Sequence, residues 1–155
     1  MRELWLVALL TCSAIAVADV DMASGQDRGA PAADRLAVTD SLARSGRTEE
    51  ARELLVAWWE GERPDAPRAE LEHAAWLRAL LTVDPDQARI EFRRLVVEYP
   101  GGRYVAPSLA RIALLLAAAG DTAGARQSWE TVLREYPGSE ESAWAEAWLD
   151  GTEGG

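Results

Sequence analysis

This 155-residue sequence has no lysine and no asparagine, and it has one cysteine (Cys12) and one histidine (His73). A single Cys and a single His cannot form the Cys/His cages that hold structural zinc, so we expect no metal site of that kind. All 16 basic residues are arginine, and 26 acidic residues give a formal net charge of −10. Surfaces that bind nucleic acid concentrate basic residues, so the acidic balance argues against DNA or RNA as a partner.

A catalytic or cofactor-binding motif is also missing. His73 has no Ser, Cys or carboxylate at the spacing of a nucleophile–base pair, and a partly exposed histidine is the simpler interpretation. No phosphate-binding loop, nucleophile elbow or metal motif is present. The pairs Glu49-Glu50 and Glu140-Glu141 stand at predicted helix starts, where the helix dipole accounts for them. We therefore expect neither an enzyme nor a cofactor.

Residues 1–18 have the pattern of an export signal. A short charged start precedes an apolar run at residues 4–10, and the sequence Ala-Val-Ala at 16–18 supplies the small side chains expected before a signal peptidase site. Cleavage there predicts an exported, periplasmic protein whose mature chain begins at Asp19.

Cys12 gives an alternative to a cleaved, soluble chain. It follows Leu-Leu-Thr in the manner of a bacterial lipobox, which would attach a lipid anchor to Cys12, although threonine is a poor match directly before the cysteine. Residues 19–33 follow, rich in Gly, Ala, Asp and Pro, and are predicted to be a disordered linker.

A pattern with a period of 37 residues occupies the rest of the chain. An Ala-Arg pair recurs at this interval, and a large apolar residue stands four positions after each Ala. The pairs are Ala51-Arg52, Ala88-Arg89 and Ala125-Arg126, and the apolar residues are Leu55, Phe92 and Trp129. Periods between about 20 and 50 residues are typical of stacked supersecondary units, which form extended binding surfaces.

Within each unit the apolar residues are spaced three or four apart, which predicts helices. Thr48 and Asp84 are the predicted N-caps of the second and fourth helices, and Pro85 suits the first position of the fourth. The predicted helices are one ending at 45–46, one from 48 that stops before Pro64, then 69–81, 85–99, 104–119, one from 121 to 136, and one from 139 to 150.

The stretch from Leu109 to Pro137 resembles the tetratricopeptide repeat (TPR) family. The matching positions are Leu109, Ile112, Ala113, Leu116, Gly120-Asp121, Ala125, Trp129, Val132 and Tyr136-Pro137. The family period is 34 residues, and the three extra residues here fall in the Tyr-Pro-Gly turn between units. That longer turn is similar to TPR domains of the bacterial cell-envelope type, including those of the Tol–Pal system coordinator and of the outer-membrane β-barrel assembly lipoprotein.

The resemblance covers residues 34–150. It implies an all-α fold, a right-handed α-solenoid of three TPR-like helix hairpins plus a C-terminal capping helix, with a disordered tail at residues 151–155. The first unit departs most from the pattern, as expected of a terminal repeat with one side in water. The carboxylate clamp of some family members needs Asn and Lys, and this chain has neither.

In TPR arrays the first helix of each hairpin lines a groove for partner peptides. The resemblance therefore implies a partner-binding strip on these helices: His73, Leu77, Leu80, Leu81, Ala110 and Leu114. Such a strip could seat a helical apolar segment flanked by Lys or Arg from another envelope protein. The alternative is that these side chains pack against one another, because three units curve tightly.

Two tryptophan pairs remain to be placed. Trp144 and Trp148 are four residues apart and share one face of the last helix. Either they cover the open end of the solenoid, which we favour, or they form a secondary aromatic patch of the kind enriched at interfaces. Trp58 and Trp59 are adjacent, so we expect one in the core and the other partly exposed.

The sequence as a whole predicts a non-catalytic adaptor of the bacterial cell envelope that binds a peptide or protein subunit through the groove. The alternative is a structural or self-associating subunit of an outer-membrane or periplasmic complex. Under that alternative, we expect the protein to form a homo-oligomer or to associate with the outer membrane.

Overall fold

The computed structural model describes residues 32–153, which form helices and short connections without any strand. A single 3-10 turn, Arg63–Asp65, follows the second α-helix. The α-helices are α1 (Ala32–Arg44), α2 (Thr48–Gly61), α3 (Arg68–Leu81), α4 (Pro85–Glu98), α5 (Val105–Ala118), α6 (Thr122–Glu135) and α7 (Glu140–Glu153). The predicted export signal, the alternative anchor at Cys12 and nearly all of the predicted linker lie outside the described residues.

The helices pack as three consecutive hairpins, α1–α2, α3–α4 and α5–α6, and α7 packs against α6 and α5. This arrangement confirms the predicted fold class, an all-α helical repeat solenoid. We refer to α1, α3, α5 and α7 as the first helices and to α2, α4 and α6 as the second helices. Gly46 and Gly120 stand at the same place in two of the hairpin turns, and their φ values of 80° and 83° are in the left-handed region that glycine adopts without strain.

The sequence predicted some helix starts correctly and one wrongly. Asp84 caps α4 by accepting a hydrogen bond of 2.7 Å from the Gln87 backbone N–H. Thr48 was expected to cap α2, but it is the first helical residue, and Arg47 occupies the cap position without a side-chain cap. The Arg47 side chain instead donates from Nε to Glu50 at 2.7 Å, so an ion pair in the first turn replaces the expected hydroxyl cap.

The core follows the 37-residue period. The repeated alanines and the large residues four positions later are all buried: Ala51, Ala88, Ala125, Leu55, Phe92 and Trp129. The small side chain lets the two helices of a hairpin approach, and the large one fills the space between hairpins. Trp58 is fully buried and Trp59 is half-buried, as expected for adjacent residues on one helix.

The last helix is longer than predicted. It continues to Glu153 instead of ending at Asp150-Gly151, so the start of the predicted tail is helical. Two hydrogen bonds hold this turn: Thr152 Oγ1 donates to the Leu149 carbonyl at 2.9 Å, and Arg126 of α6 donates to Thr152 Oγ1 at 3.1 Å. These contacts offset the roughly 1 kcal/mol that a glycine costs inside a helix.

The first helices are spaced unevenly, and this feature creates the candidate site. α1 packs directly against α3, whereas α3 and α5 hardly approach each other and are joined mainly through α4. The side chains of Ala79, Phe92 and Ile112 form one of the clusters that link these three helices. The gap between α3 and α5 stays open on the face that the first helices form.

Candidate binding groove

The gap between α3 and α5 is a groove with a volume of about 440 Å³. Side chains from all four first helices line it, together with the turn before α5. Its apolar and aromatic lining consists of Trp76, Leu80, Tyr104, Pro107, Ala110, Leu114 and Trp144. Its charged lining consists of Asp40, Arg44, Arg103, Arg111, Glu140 and Glu141. We call this surface the binding groove.

Stacked aromatic rings form one wall of the binding groove. The Tyr104 ring lies nearly parallel to Trp76, with ring centroids 5.4 Å apart, and nearly parallel to His73 at 5.2 Å. Trp76 also contacts Phe92 in a tilted arrangement at 5.5 Å. Offset stacked and tilted pairs are favourable ring geometries, so the wall is a preformed aromatic surface rather than a set of independent side chains.

A buried carboxylate fixes the position of Tyr104. Glu72 of α3 is buried and accepts a hydrogen bond of 2.7 Å from the Tyr104 backbone N–H. Gly102 lies directly against this carboxylate, and a Cβ at that position would overlap all three atoms of the Glu72 carboxyl group. Gly102 therefore leaves the space in which Glu72 reaches the start of α5 and holds the aromatic wall.

The charged side chains of the groove differ in how they are paired. Arg44 forms an ion pair with Asp40 within α1. The Arg103 guanidinium lies over the Tyr104 ring, 5.6 Å from its centroid. Glu140, Glu141 and Arg111 form no ion pair with another residue in the described range. The groove therefore presents both positive and negative groups that are free to pair with a ligand.

His73 lies at the base of the aromatic wall. Its burial, together with the charges of Arg103 and Arg44, lowers the pKa of the imidazole below its ordinary value of 6.5. The neutral form is therefore favoured in the folded protein, consistent with a ring stacked on Tyr104. Among the described residues, no group of three or more His, Cys, Asp or Glu side chains could hold a metal ion.

The residues of the predicted strip lie in different environments in the structure. Leu80, Ala110 and Leu114 line the groove, with Leu114 44% exposed and Ala110 contributing only a small area. Leu77 and Leu81 are buried in the cluster that joins α1, α2 and α3, so the prediction that they bind a partner is wrong for the folded chain. The alternative, that these side chains pack together, is correct for these two.

His73, the sixth predicted residue, supports the aromatic wall. Its ring is half-buried and stacks on Tyr104, and it is not among the residues that line the groove. The predicted continuous apolar strip is therefore replaced by a shorter surface that combines leucine, aromatic and charged side chains.

A comparison of equivalent positions in the repeats could have identified Trp76 and Tyr104, the two aromatic groove residues that were not predicted from the sequence. Trp76 stands where the other units have Thr39 and Ala113, and Tyr104 stands where the next unit has Glu141. Large aromatics at positions that are otherwise small or polar mark a departure from the repeat. Both of these residues line the open gap between α3 and α5.

Trp144 and Trp148 have different environments. Trp148 is half-buried against the clusters of the second and third hairpins, which fits the favoured prediction that it covers the end of the solenoid. Trp144 is 51% exposed and lines the groove, so the favoured packing was wrong for this residue. Of the two tryptophans in the predicted aromatic patch, Trp144 is exposed and Trp148 is not.

A second crevice, of about 660 Å³, lies between α2 and α4 and contains Trp59. Arg63 and Arg78 both lie over the Trp59 ring, 5.1 and 4.8 Å from its centroid. Arg78 is also paired with Glu91 at 2.6 Å. The indole and much of the charge in this crevice are thus already engaged within the chain, which is why we place the candidate site in the binding groove.

Comparison with known proteins assigns part of the chain. Residues 108–139, which include most of α5 and all of α6, match the family model of the tetratricopeptide repeat. The match covers one of the three hairpins and supports a TPR protein. Such repeats generally mediate protein–protein interaction, and their helical fold is typically a non-catalytic scaffold. No curated protein matches this chain.

Proposed function

We propose that this protein is a non-catalytic adaptor of the bacterial cell envelope that binds a peptide or a protein subunit in the binding groove. The observation that carries the proposal is the open gap between α3 and α5, lined by the exposed side chains of Leu114 and Trp144 beside the stacked aromatic wall. Exposed aromatic and apolar groups with a polar surround are characteristic of protein interfaces.

The location in the envelope is a separate part of the proposal. It is supported by the export pattern of residues 1–18 and by the long Tyr-Pro-Gly turn, which is similar to TPR domains of envelope proteins such as the Tol–Pal coordinator and the β-barrel assembly lipoprotein. Mass spectrometry of the mature protein tests it. A chain that begins at Asp19 supports a soluble periplasmic protein, and an acylated Cys12 at the N-terminus supports a lipid anchor. Retention of the intact N-terminus would contradict export.

Partner capture tests the role of the groove. Leu114→Glu places a charge in the groove, and Val97→Glu places the same charge at an exposed valine on the second helix α4. Cross-linked partners should be retained by wild type and by Val97→Glu and lost from Leu114→Glu, with all three melting at similar temperatures. Loss from Val97→Glu alone would move the binding surface to the second helices and contradict the proposal.

Exposure of Trp144 supports a second candidate function, self-association into a structural subunit. An indole that is 51% exposed is a typical anchor of a protein interface. Sedimentation at increasing protein concentration distinguishes the two candidates. A mass that rises with concentration, and that returns to the monomer in Trp144→Ala, would favour self-association over the binding of a different partner.

A further inference from the structure

The charges at the rim of the binding groove change sign from one unit to the next. Arg103 and Glu140 occupy the same repeat position, 37 residues apart: Arg103 lies in the turn just before α5, and Glu140 is the first residue of α7. Tyr104 and Glu141 occupy the next position in the same way. Both pairs line the groove, so its rim is positive at α5 and negative at α7.

These rim charges are available to a ligand. Glu140 and Glu141 form no ion pair with any residue that the structure describes. Arg103 is exposed, its guanidinium lies over the face of the Tyr104 ring, and it forms no ion pair with another of the described residues. Trp144 lies one turn after Glu140 on α7 and is 51% exposed, so a cation held by the two carboxylates can also contact an indole face.

The position of the rim charges on two different elements favours an extended ligand. An extended segment rises about 3.1 Å per residue, against about 1.5 Å for an α-helix, so it reaches from one rim charge to the other with fewer residues. No strand edge is available among the described residues for pairing, so the segment keeps its backbone solvated, as in the polyproline II conformation.

The usual separation of packed helices sets the expected spacing of charges in the ligand. Axes of packed helices such as α5 and α7 lie about 8–10 Å apart. In the polyproline II conformation, residues i and i+3 lie on the same face and are about 9 Å apart. An acidic and a basic side chain three residues apart therefore span about the separation of two packed helices.

We propose, on the basis of the function proposed above, that the binding groove recognises an extended peptide segment with an acidic and a basic residue three positions apart. The acidic side chain pairs with Arg103. The Lys or Arg side chain enters between Glu140, Glu141 and Trp144. An apolar side chain between them packs on Pro107 and Leu114 of α5. This charge order replaces the purely basic flanks that the sequence predicted.

Selection from random dodecapeptides displayed on phage, with the full chain as bait, tests this inference. Enriched peptides should carry Asp or Glu three positions from Lys or Arg, with an apolar residue between them. The most enriched peptide is then synthesised, and its affinity is measured by fluorescence anisotropy. The double variant Glu140→Lys/Glu141→Lys should bind it about fivefold more weakly or worse, since two favourable charge contacts become repulsive.

Two controls make the result specific. Glu146→Lys/Asp150→Lys changes two exposed carboxylates on the same helix, outside the groove, and should bind the peptide as wild type does. A peptide with its basic residue changed to Glu should bind the Glu140→Lys/Glu141→Lys variant better than it binds wild type. Circular dichroism melts of each variant show whether a loss of binding reflects unfolding.

The possible outcomes distinguish a failure of this inference from a failure of the proposed function. Enriched peptides that require Leu114 but are indifferent to Arg103, Glu140 and Glu141 would overturn the charge order and leave the groove as the binding site. A consensus with acid and base seven positions apart would indicate a helix and would also overturn the inference. Failure to enrich any peptide that depends on Leu114 would contradict the proposed function, and the inference with it.

Discussion

The gap between α1 and α3 differs from the gap between α3 and α5, although the sequence pattern is the same. Between α1 and α3 the gap is closed, and Leu77 is completely buried there. Between α3 and α5 the gap is open, and Leu114, the residue 37 positions after Leu77, is 44% exposed. The same amino acid at the same repeat position therefore stabilises the core in one unit and forms surface in the next.

The side chains that lie between neighbouring first helices explain why one gap is closed and the other is open. Leu36 occupies the closed gap and packs with Leu77. The repeat equivalent of Leu36 is His73, and next to it Tyr104 inserts its ring against both His73 and Trp76. Three stacked rings take up the space that leucine side chains fill in the closed gap. Aromatic residues thus open one gap in an otherwise regular array and line it at the same time.

The largest effect should come from removing the closed cluster's biggest side chain. Trp58→Ala deletes a fully buried indole and should lower the free energy of unfolding by about 3–5 kcal/mol. Trp144→Ala, in the groove, should change it by only about 1–2 kcal/mol, because the side chain is already 51% exposed. Urea unfolding followed by circular dichroism measures both. Equal losses would mean that the groove tryptophan is as much a part of the core as Trp58.

Gly102→Ala should weaken the attachment of the aromatic wall. The added Cβ displaces the Glu72 carboxylate from the Tyr104 N–H, and loss of a buried hydrogen bond to a charged group costs about 1–3 kcal/mol. Gly138→Ala, in the corresponding turn of the next unit, meets no atom within 4 Å and is the matched control. Thermal melts should show a lower midpoint for Gly102→Ala only. Similar midpoints for the two variants would show that Glu72 relocates freely.

The sequence predicted the helices well because each hairpin is a local structure. Each of the features used for the prediction can be recognised within one unit. These features are apolar residues three or four apart, Asp84 with Pro85 at a helix start, and the glycines in the turns. The exposure of Leu77 and Leu114 could not be predicted in this way, since it depends on which side chains separate neighbouring first helices. Repeat equivalence assigned both leucines to one strip. In the structure the rings of Trp76 and Tyr104 separate α3 from α5, and the two leucines therefore differ in exposure.

A smaller effect concerns the charge of His73. Because burial lowers its pKa, the folded chain binds its proton less readily than the unfolded chain does. This contribution to stability is complete above the ordinary pKa of 6.5 and declines as pH falls below that value through the folded pKa. His73 is the only histidine, so an NMR titration reports its pKa without assignment.

The neighbours of His73 supply the control for that titration. Arg103 and Arg44 both disfavour its charged form, and Tyr104 covers its ring. Arg103→Gln should therefore raise the pKa towards its ordinary value, while remaining below it because burial is the larger cause. A wild-type pKa at or above 6.5 would show that the aromatic wall is open to water.

The matched pair Leu77→Ala and Leu114→Ala tests most directly whether one gap is closed and the other open. The two changes remove the same atoms from equivalent repeat positions. Urea unfolding should show a loss of about 2–5 kcal/mol for Leu77→Ala and less than about 1 kcal/mol for Leu114→Ala, whose side chain is already 44% exposed. Equal losses, or a larger loss for Leu114→Ala, would contradict the account.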